Sequence, residues 1–442
     1  MTRPPFGFSG GGDGDDDPVP GNDPLAALGG LGGLTGGGDL GSMLRQLGDL
    51  MSGETGPVNW QVARQSAMQV IGTDAGTTSN DTAVVTEAVR LADLWLDPVT
   101  ALPSGVTSIE AWSRRRWLEA TRPAWTELVE PVAGQVGAAM GGALPEEMRA
   151  MAAPLMGVMN QVGGLVFGGQ VGQALGTLAT EVTSSTEVGL PIGPPGVAAL
   201  LPEGVATFAE GLDVPLEEVR LFLALREAAH HRLFGHVPWL RGHLVSAVRA
   251  YAEGITVDTS RFEELARSLD PSDPESMQRA VGEGLFAPTE SAAQTAALAR
   301  LETALALVEG WVDTVTSAAA GRNLPSLAAL QETTRRRRAT GGPAERTFAS
   351  LVGLELRPRR LREAAALWLA LTERRGIDER DAIWSHPDLL PTSDDLDDPT
   401  GWVDGGGTVP LDLSELEAGP DEPPTDPPTD PPTEPPTEPT AG

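Results

Sequence analysis

The chain has 442 residues, a formal net charge of −31 and no cysteine. Disulfides and thiolate metal sites are therefore excluded, and the acidity argues against non-specific binding to nucleic acid or an anionic membrane. Every one of the 31 Lys-plus-Arg positions is Arg, so no phosphate-binding G-x-x-x-x-G-K-[ST] loop can form.

The ends differ from the middle. Residues 1–57 are rich in Gly and Asp, and from Asp404 the chain becomes rich in Gly, Pro and acid, ending in PPTDPPTDPPTEPPTEP. Segments 1–57 and 401–442 are expected to be disordered tails, because they cannot bury enough apolar surface to offset the entropy of ordering. Residues 1–57 hold eight acids and two Arg, and residues 378–442 hold eighteen acids and one Arg, so these segments carry −23 of the −31. The part expected to fold, about 58–400, is only mildly acidic. The first residues, MTRPPFGFSGGGDGDDD, contain no apolar h-region, and a cytoplasmic location is the expectation.

Helical spacing begins near Asn59 with Trp60, Ala63, Met68 and Val70. A second helix is expected from Asn80 or Asp81 to Leu96, with Val84, Val85, Val89, Leu91 and Leu94 at helical intervals and Pro98 beyond its end. The stretch from Ser108 to Val129 carries Trp112, Trp117 and Trp125, read as core anchors beside the basic run Arg114–Arg116. Residues 150–180 carry no charge, which raises the question of a membrane helix. Asn160, Gln161, Gln170 and Gln173, the many glycines, and flanks without a basic anchor or aromatic belt argue instead for a buried helix. Gly164, Gly168, Gly172 and Gly176 recur every four residues, forming a smooth ridge that lets another backbone approach. These glycines follow no strand, so they are not a dinucleotide fingerprint.

A Pro/Gly loop spans 189–196. A helix then opens at Asp213-Val-Pro-Leu-Glu-Glu, where Pro215 suits the first turn and Glu217 and Glu218 suit the positive helix start. It should run to about Phe234. Four of the five histidines lie on or just after it: His230, His231, His236 and His243. Spacing places Arg226, Glu227 and His230 toward one space. Beyond Asp258 come Asp-Pro turns, then a long helix from Thr289 to about Ala319. Its stripe is Leu298, Leu301, Leu305 and Val308, with Glu302, Glu309 and Asp313 on or near that face. Another helix follows Pro325 and ends in Arg335–Arg338. Residues 344–375 read as one or two helices. The Arg runs at 335–338 and 357–362 lack interleaved aromatics and read as solvated, ion-paired faces rather than an RNA site. No convincing set of alternating strands appears, so the expected fold is mainly α, one large helical domain.

The segment Arg226-Glu-Ala-Ala-His-His, with Leu307-Val-Glu-Gly-Trp-Val-Asp, resembles the zincin-like hydrolase family of high-GC bacteria. That family is often labelled zinc-dependent metalloprotease and is sometimes associated with deazaflavin cofactor biosynthesis. The likeness extends over most of 58–400, including Glu87-Ala-Val-Arg-Leu-Ala-Asp-Leu-Trp-Leu, Gly168-Gly-Gln-Val-Gly-Gln-Ala-Leu-Gly and Trp384-Ser-His-Pro-Asp-Leu-Leu-Pro-Thr. The resemblance implies a zincin-like multi-helix domain acting on a peptide or protein. It also implies Glu227 as general base, and His230 and Glu309 as zinc ligands. Arg226 stands where the first His of H-E-x-x-H belongs.

Arg is permanently protonated and cannot ligate a metal. Catalytic zinc commonly takes three protein ligands and a water. A different register would use Glu227 and His231 at i, i+4, with His236 or His243 folding back. A second reading has the Arg226 guanidinium supplying the charge a metal would, paired with Glu227, Glu309 or both. Two functions are therefore carried forward. One is a non-catalytic pseudo-zincin that binds or scaffolds a peptide or protein. The other is a metal-dependent hydrolase or peptidase with Glu227 as base.

Overall fold

The computed structural model describes residues 56–142, 146–254, 291–321, 323–339, 346–347 and 360–405. The acidic tails lie almost wholly outside these residues, as do the Asp-Pro turns after Asp258, the Gly341-Gly342-Pro343 break and the first half of the 357–362 Arg run. The fold is mainly α. Its first two helices follow their capping chemistry. Helix α1 spans Trp60–Ile71, and the Asn59 side chain accepts from the Val62 amide. Helix α2, Ser79–Leu96, starts one or two residues before the expected Asn80 or Asp81, because Thr78 and Asp81 form a reciprocal capping box.

The segment Ser108–Ala111 departs from expectation: it is a strand, β1, and helix α3 begins only at Arg114, running to Gly142. β1 pairs in parallel with β2, Val197–Leu200, in the register Ser108↔Val197 to Ala111↔Leu200. Both strands are four residues long, and the buried run Val-Ala-Ala-Leu shows no alternation to betray it. Trp112, Trp117 and Trp125 are all buried, as the spacing required.

Helix α4, Glu146–Glu181, lies along α1. A Cβ at Gly168 or Gly172 would collide with the carbonyl oxygens of Asn59 and Ala63, so the glycine ridge is the contact surface. The helix has an outer face as well, with Val166 and Gly169 open. No described helix is long and apolar enough to cross a membrane. After α4 and β2 come the short helix α5, Pro202–Ala209, and then α6, Leu216–His236. Pro215 takes the position before the first turn of α6. Pro238 opens a new helix, α7, Pro238–Glu253. The long helix α8, Ala292–Ala320, is capped by Ser291 and Gln294. Helices α9, Leu327–Ala339, α10, Leu361–Arg375, α11, Ile377–Ala382, and α12, Pro399–Asp404, complete the described chain.

Helix α6 is the centre of the fold. It packs against α2, α8, α5 and β2, with thirteen of its residues buried. Arg232 fixes it to α2, donating to Asp93 Oδ1 at 2.9 Å and Asp97 Oδ1 at 2.6 Å. Helix α8 is fixed by the chain's C-terminal part: Trp311 Nε1 donates to Asp381 Oδ1 at 2.8 Å, while Thr100 Oγ1 donates to Asp381 Oδ2 at 2.6 Å. These anchors set the distance between α6 and α8, and that distance makes the site.

Candidate functional site

Two carboxylates from two helices organise the site, and they do not meet. Residues 226 and 227 are successive on a helix, about 100° apart around its axis. Arg226 and His230 therefore face α8, while Glu227 and His231 face the β-sheet side. The expectation that Arg226, Glu227 and His230 share one space is corrected by this rotation.

On the α8 side, Arg226 Nη2 lies 2.5 Å from Glu309 Oε2. Arg338 Nη1, from the end of α9, reaches the same oxygen at 2.8 Å. His230 Nε2 lies 3.1 Å from the other oxygen, Glu309 Oε1. Of the pairings open to Arg226, the structure contains the one with Glu309, with Asp313 Oδ1 farther off at 4.0 Å. Asp313 is engaged by Arg335, also from α9, at 3.3 Å. Glu309 is 2% exposed, a burial a carboxylate tolerates only when its charge is compensated. Burial pushes its carboxyl up, but Arg338, His230 and Arg226 outweigh that and hold it well below the usual range. The loop before β2 closes over this group. Gly189 has φ +74°, and a Cβ there would lie 2.8 Å from Glu309 Oε1.

Arg338 was not singled out in the sequence. Its run of four arginines reads as a solvated face, yet Arg335 and Arg338 turn inward to α8, and Arg337 donates to the Glu181 carbonyl. Only Arg336 fits the solvated reading, paired with Glu332 one turn back and well exposed. The available signal was spacing: Glu309 and Asp313 are one turn apart on α8, and Arg335 and Arg338 are one turn apart on α9.

On the other side, Glu227 is fully buried and saturated with donors. Its Oε1 accepts from the Ser185 hydroxyl, from the Ala199 amide of β2 at 2.9 Å and from His231 Nε2 at 3.2 Å. Its Oε2 accepts from Thr186 Oγ1 at 2.5 Å and from the Thr186 amide at 3.2 Å. Burial alone would raise this carboxyl. His231, Ser185 and Thr186 overcome it and bring it down to about 2. Ser185 and Thr186 carried no signal in the sequence, because nothing local marks a loop residue as the partner of a residue 42 positions away.

The remaining histidines lie apart. His236 Nδ1 contacts the Arg232 carbonyl at 3.0 Å, His243 stands edge-on to Trp239, and His386 caps the turn Pro387–Leu389 from the surface. His231 is held by Glu227, so a ligand set of Glu227, His231 and a folded-back His236 or His243 is not assembled.

The family model for zincin-like metallopeptidases matches residues 58–403. This chain belongs to the zincin-like metallopeptidase family. Its fold is also similar to a crystal structure described as a "putative hydrolase with a novel fold" from Chloroflexus aurantiacus. The two are 22% identical, with a TM-score of 0.55, over 79% of this chain and 98% of that one. No curated protein matches the chain.

The family implies zinc, and the donor set can be tested against it. His230 Nε2 and Glu309 Oε1 are separated by 3.1 Å, close to the spacing of about 3.3 Å between two ligands of one tetrahedral zinc. The rest of the set does not fit. Arg226 holds the first ligand position, and the second Glu309 oxygen is taken by two guanidinium groups. His230 itself is not the obstacle: its Nδ1 faces the Arg226 carbonyl at 2.8 Å, a contact that orients Nε2 toward Glu309 as a ligand histidine would be oriented. Among the described residues no group of three His, Cys, Asp or Glu is placed to hold a metal ion. The residues present do not fit a zincin zinc.

Proposed function

We propose that this zincin-like protein has replaced the catalytic metal with an arginine charge lock. It serves as a non-catalytic member of its family that binds or scaffolds a peptide or protein. The observation that carries the reading is the complete engagement of Glu309. Two guanidinium groups, from Arg226 and Arg338, supply the same formal +2 as a zinc ion, and His230 takes the remaining oxygen. Charge compensation of a buried carboxylate is met without metal. A zinc ion there would face two permanent cations in a site of low effective dielectric.

The setting of Glu227 supports the same reading. A general base works best with a pKa near the operating pH and within reach of its water. Glu227 is held at about 2 and bonded through both oxygens to the loop and strand that pack on α6. Its role is to staple the small sheet to the motif helix. The kind of partner follows from the family, whose members act on peptides.

Elemental analysis of the purified chain, followed by a peptidase assay of wild type and Glu227→Gln, tests the proposal. No bound metal and no activity are expected. The competing reading is a metal-dependent hydrolase with Glu227 as base and His230 and Glu309 as ligands. It would be established by metal-dependent peptide cleavage that Glu227→Gln abolishes.

A further inference from the structure

Helix α9 covers the Arg226–Glu309 pair, and its attachment differs in kind from that of the helices beneath it. Helix α6 buries thirteen residues and α8 sixteen, whereas Leu330 is the one fully buried residue described on α9. Burying one leucine contributes about 1.5–3 kcal/mol. Leu327 adds a half-buried contact with the core, but thirteen residues of helix are marginal alone in water, so these two leucines do not by themselves hold α9 in place. Polar contacts do the rest. Arg338 reaches Glu309 at 2.8 Å, Arg335 reaches Asp313 at 3.3 Å, and Gln331 Nε2 donates to Ser317 Oγ at 2.5 Å. Arg337 donates to the Glu181 carbonyl and lies 5.7 Å over the Phe208 ring. The turn before the helix is tied by the Ser326 amide donating to Glu218 Oε2 at 2.9 Å.

We propose that α9 is an electrostatically latched strap. It opens locally over the packed contact between α6 and α8 while both of those helices stay folded, and opening uncovers the carboxylate row Glu309–Asp313. Local opening is drawn from segments with few buried apolar contacts, and α9 is such a segment. Its latch is only partly shielded: the Arg335 and Arg338 side chains are 37% and 17% exposed, so dissolved ions reach them. The inference shares the Arg338–Glu309 pair with the proposed function but not its conclusion about metal. Metal content and helix opening are measured separately, so failure of one leaves the other standing.

The test is hydrogen–deuterium exchange of the full chain at about 0.05 M and 1 M sodium chloride, where the screening length falls to about 3 Å. With α2 as the internal reference, amides of residues 327–339 should exchange at least about tenfold faster at high salt, a shift of about 1.4 kcal/mol. Those of α6 and α8 should not change. Arg338→Met should reproduce the acceleration at low salt. Should that variant not fold, Arg335→Gln tests the more exposed half of the latch and should accelerate α9 in the same direction. Salt-independent exchange in α9, or opening of α9 only together with α6 and α8, overturns the proposal.

Discussion

Arg226 Nη2 and Glu309 Oε2 lie 2.5 Å apart across the interface of α6 and α8, joining the residue in the family's first-ligand position to a carboxylate 83 residues away. Both side chains are buried, and the pair is completed by Arg338 and His230. A pair of this kind need not stabilise relative to an apolar one, but removing half of it leaves a buried charge without its partner.

Glu309→Ala should therefore be strongly destabilising. It leaves Arg226 and Arg338 facing each other with no anion between them, and the expected loss is about 3–5 kcal/mol in urea unfolding. Arg226→Met should cost less, because Arg338 still compensates Glu309. A Glu309→Ala loss below about 1 kcal/mol would show that the carboxylate is not a keystone of the α6–α8 contact.

Stability should fall in acid through Glu227 and Glu309 together. Both have folded pKa values below the unfolded value of 4.5, so their contribution is present above about pH 4.5 and is lost as pH falls toward the folded values. For Glu227, held at about 2, the linked stability is on the order of 3 kcal/mol. Denaturation series between pH 7 and pH 3 should show this slope, and Glu227→Gln should flatten it while lowering stability at neutral pH.

Gly189→Ala tests the loop that spans both carboxylates. The residue has φ +74°, and the new Cβ would press on Glu309 Oε1 at 2.8 Å. Backbone strain alone costs about 1–2 kcal/mol, and the displaced carboxylate adds to it. Thermal unfolding should show a clear drop, whereas Gly169→Ala, on the open face of α4, should be neutral or slightly stabilising.

Restoring the family's first histidine should not by itself restore a metal site. In Arg226→His, Arg338 still occupies Glu309 Oε2. Arg226→His combined with Arg338→Ala should bind zinc at least about tenfold more tightly than Arg226→His alone, a difference of about 1.4 kcal/mol read by chelator competition. Equal affinities would show that Arg338 does not guard the carboxylate.

Most of the helical framework was legible because its signals are local. Asn59 and the 3.6-residue spacing located α1, the Gly164–Gly176 ridge foretold a close helix contact, and the leucine stripe located α8. The two strands were not legible, since four-residue runs without alternation carry no period. At the site, Glu309 and Arg226 were recognisable as a possible pair from the family resemblance. The split between Arg226 and Glu227 follows from helix rotation and could have been drawn from spacing alone. The burial of Arg338 could not, because whether an Arg run faces water is decided by the carboxylates that α8 presents to it. Ser185 and Thr186 were hidden for the same reason.

The most direct measurement is the zinc content of the full-length protein after incubation with excess zinc and removal of unbound ion. The charge lock predicts far less than one zinc per chain, unchanged in His230→Ala. One zinc per chain, lost in His230→Ala, would contradict it and return Glu309 and His230 to the role of ligands.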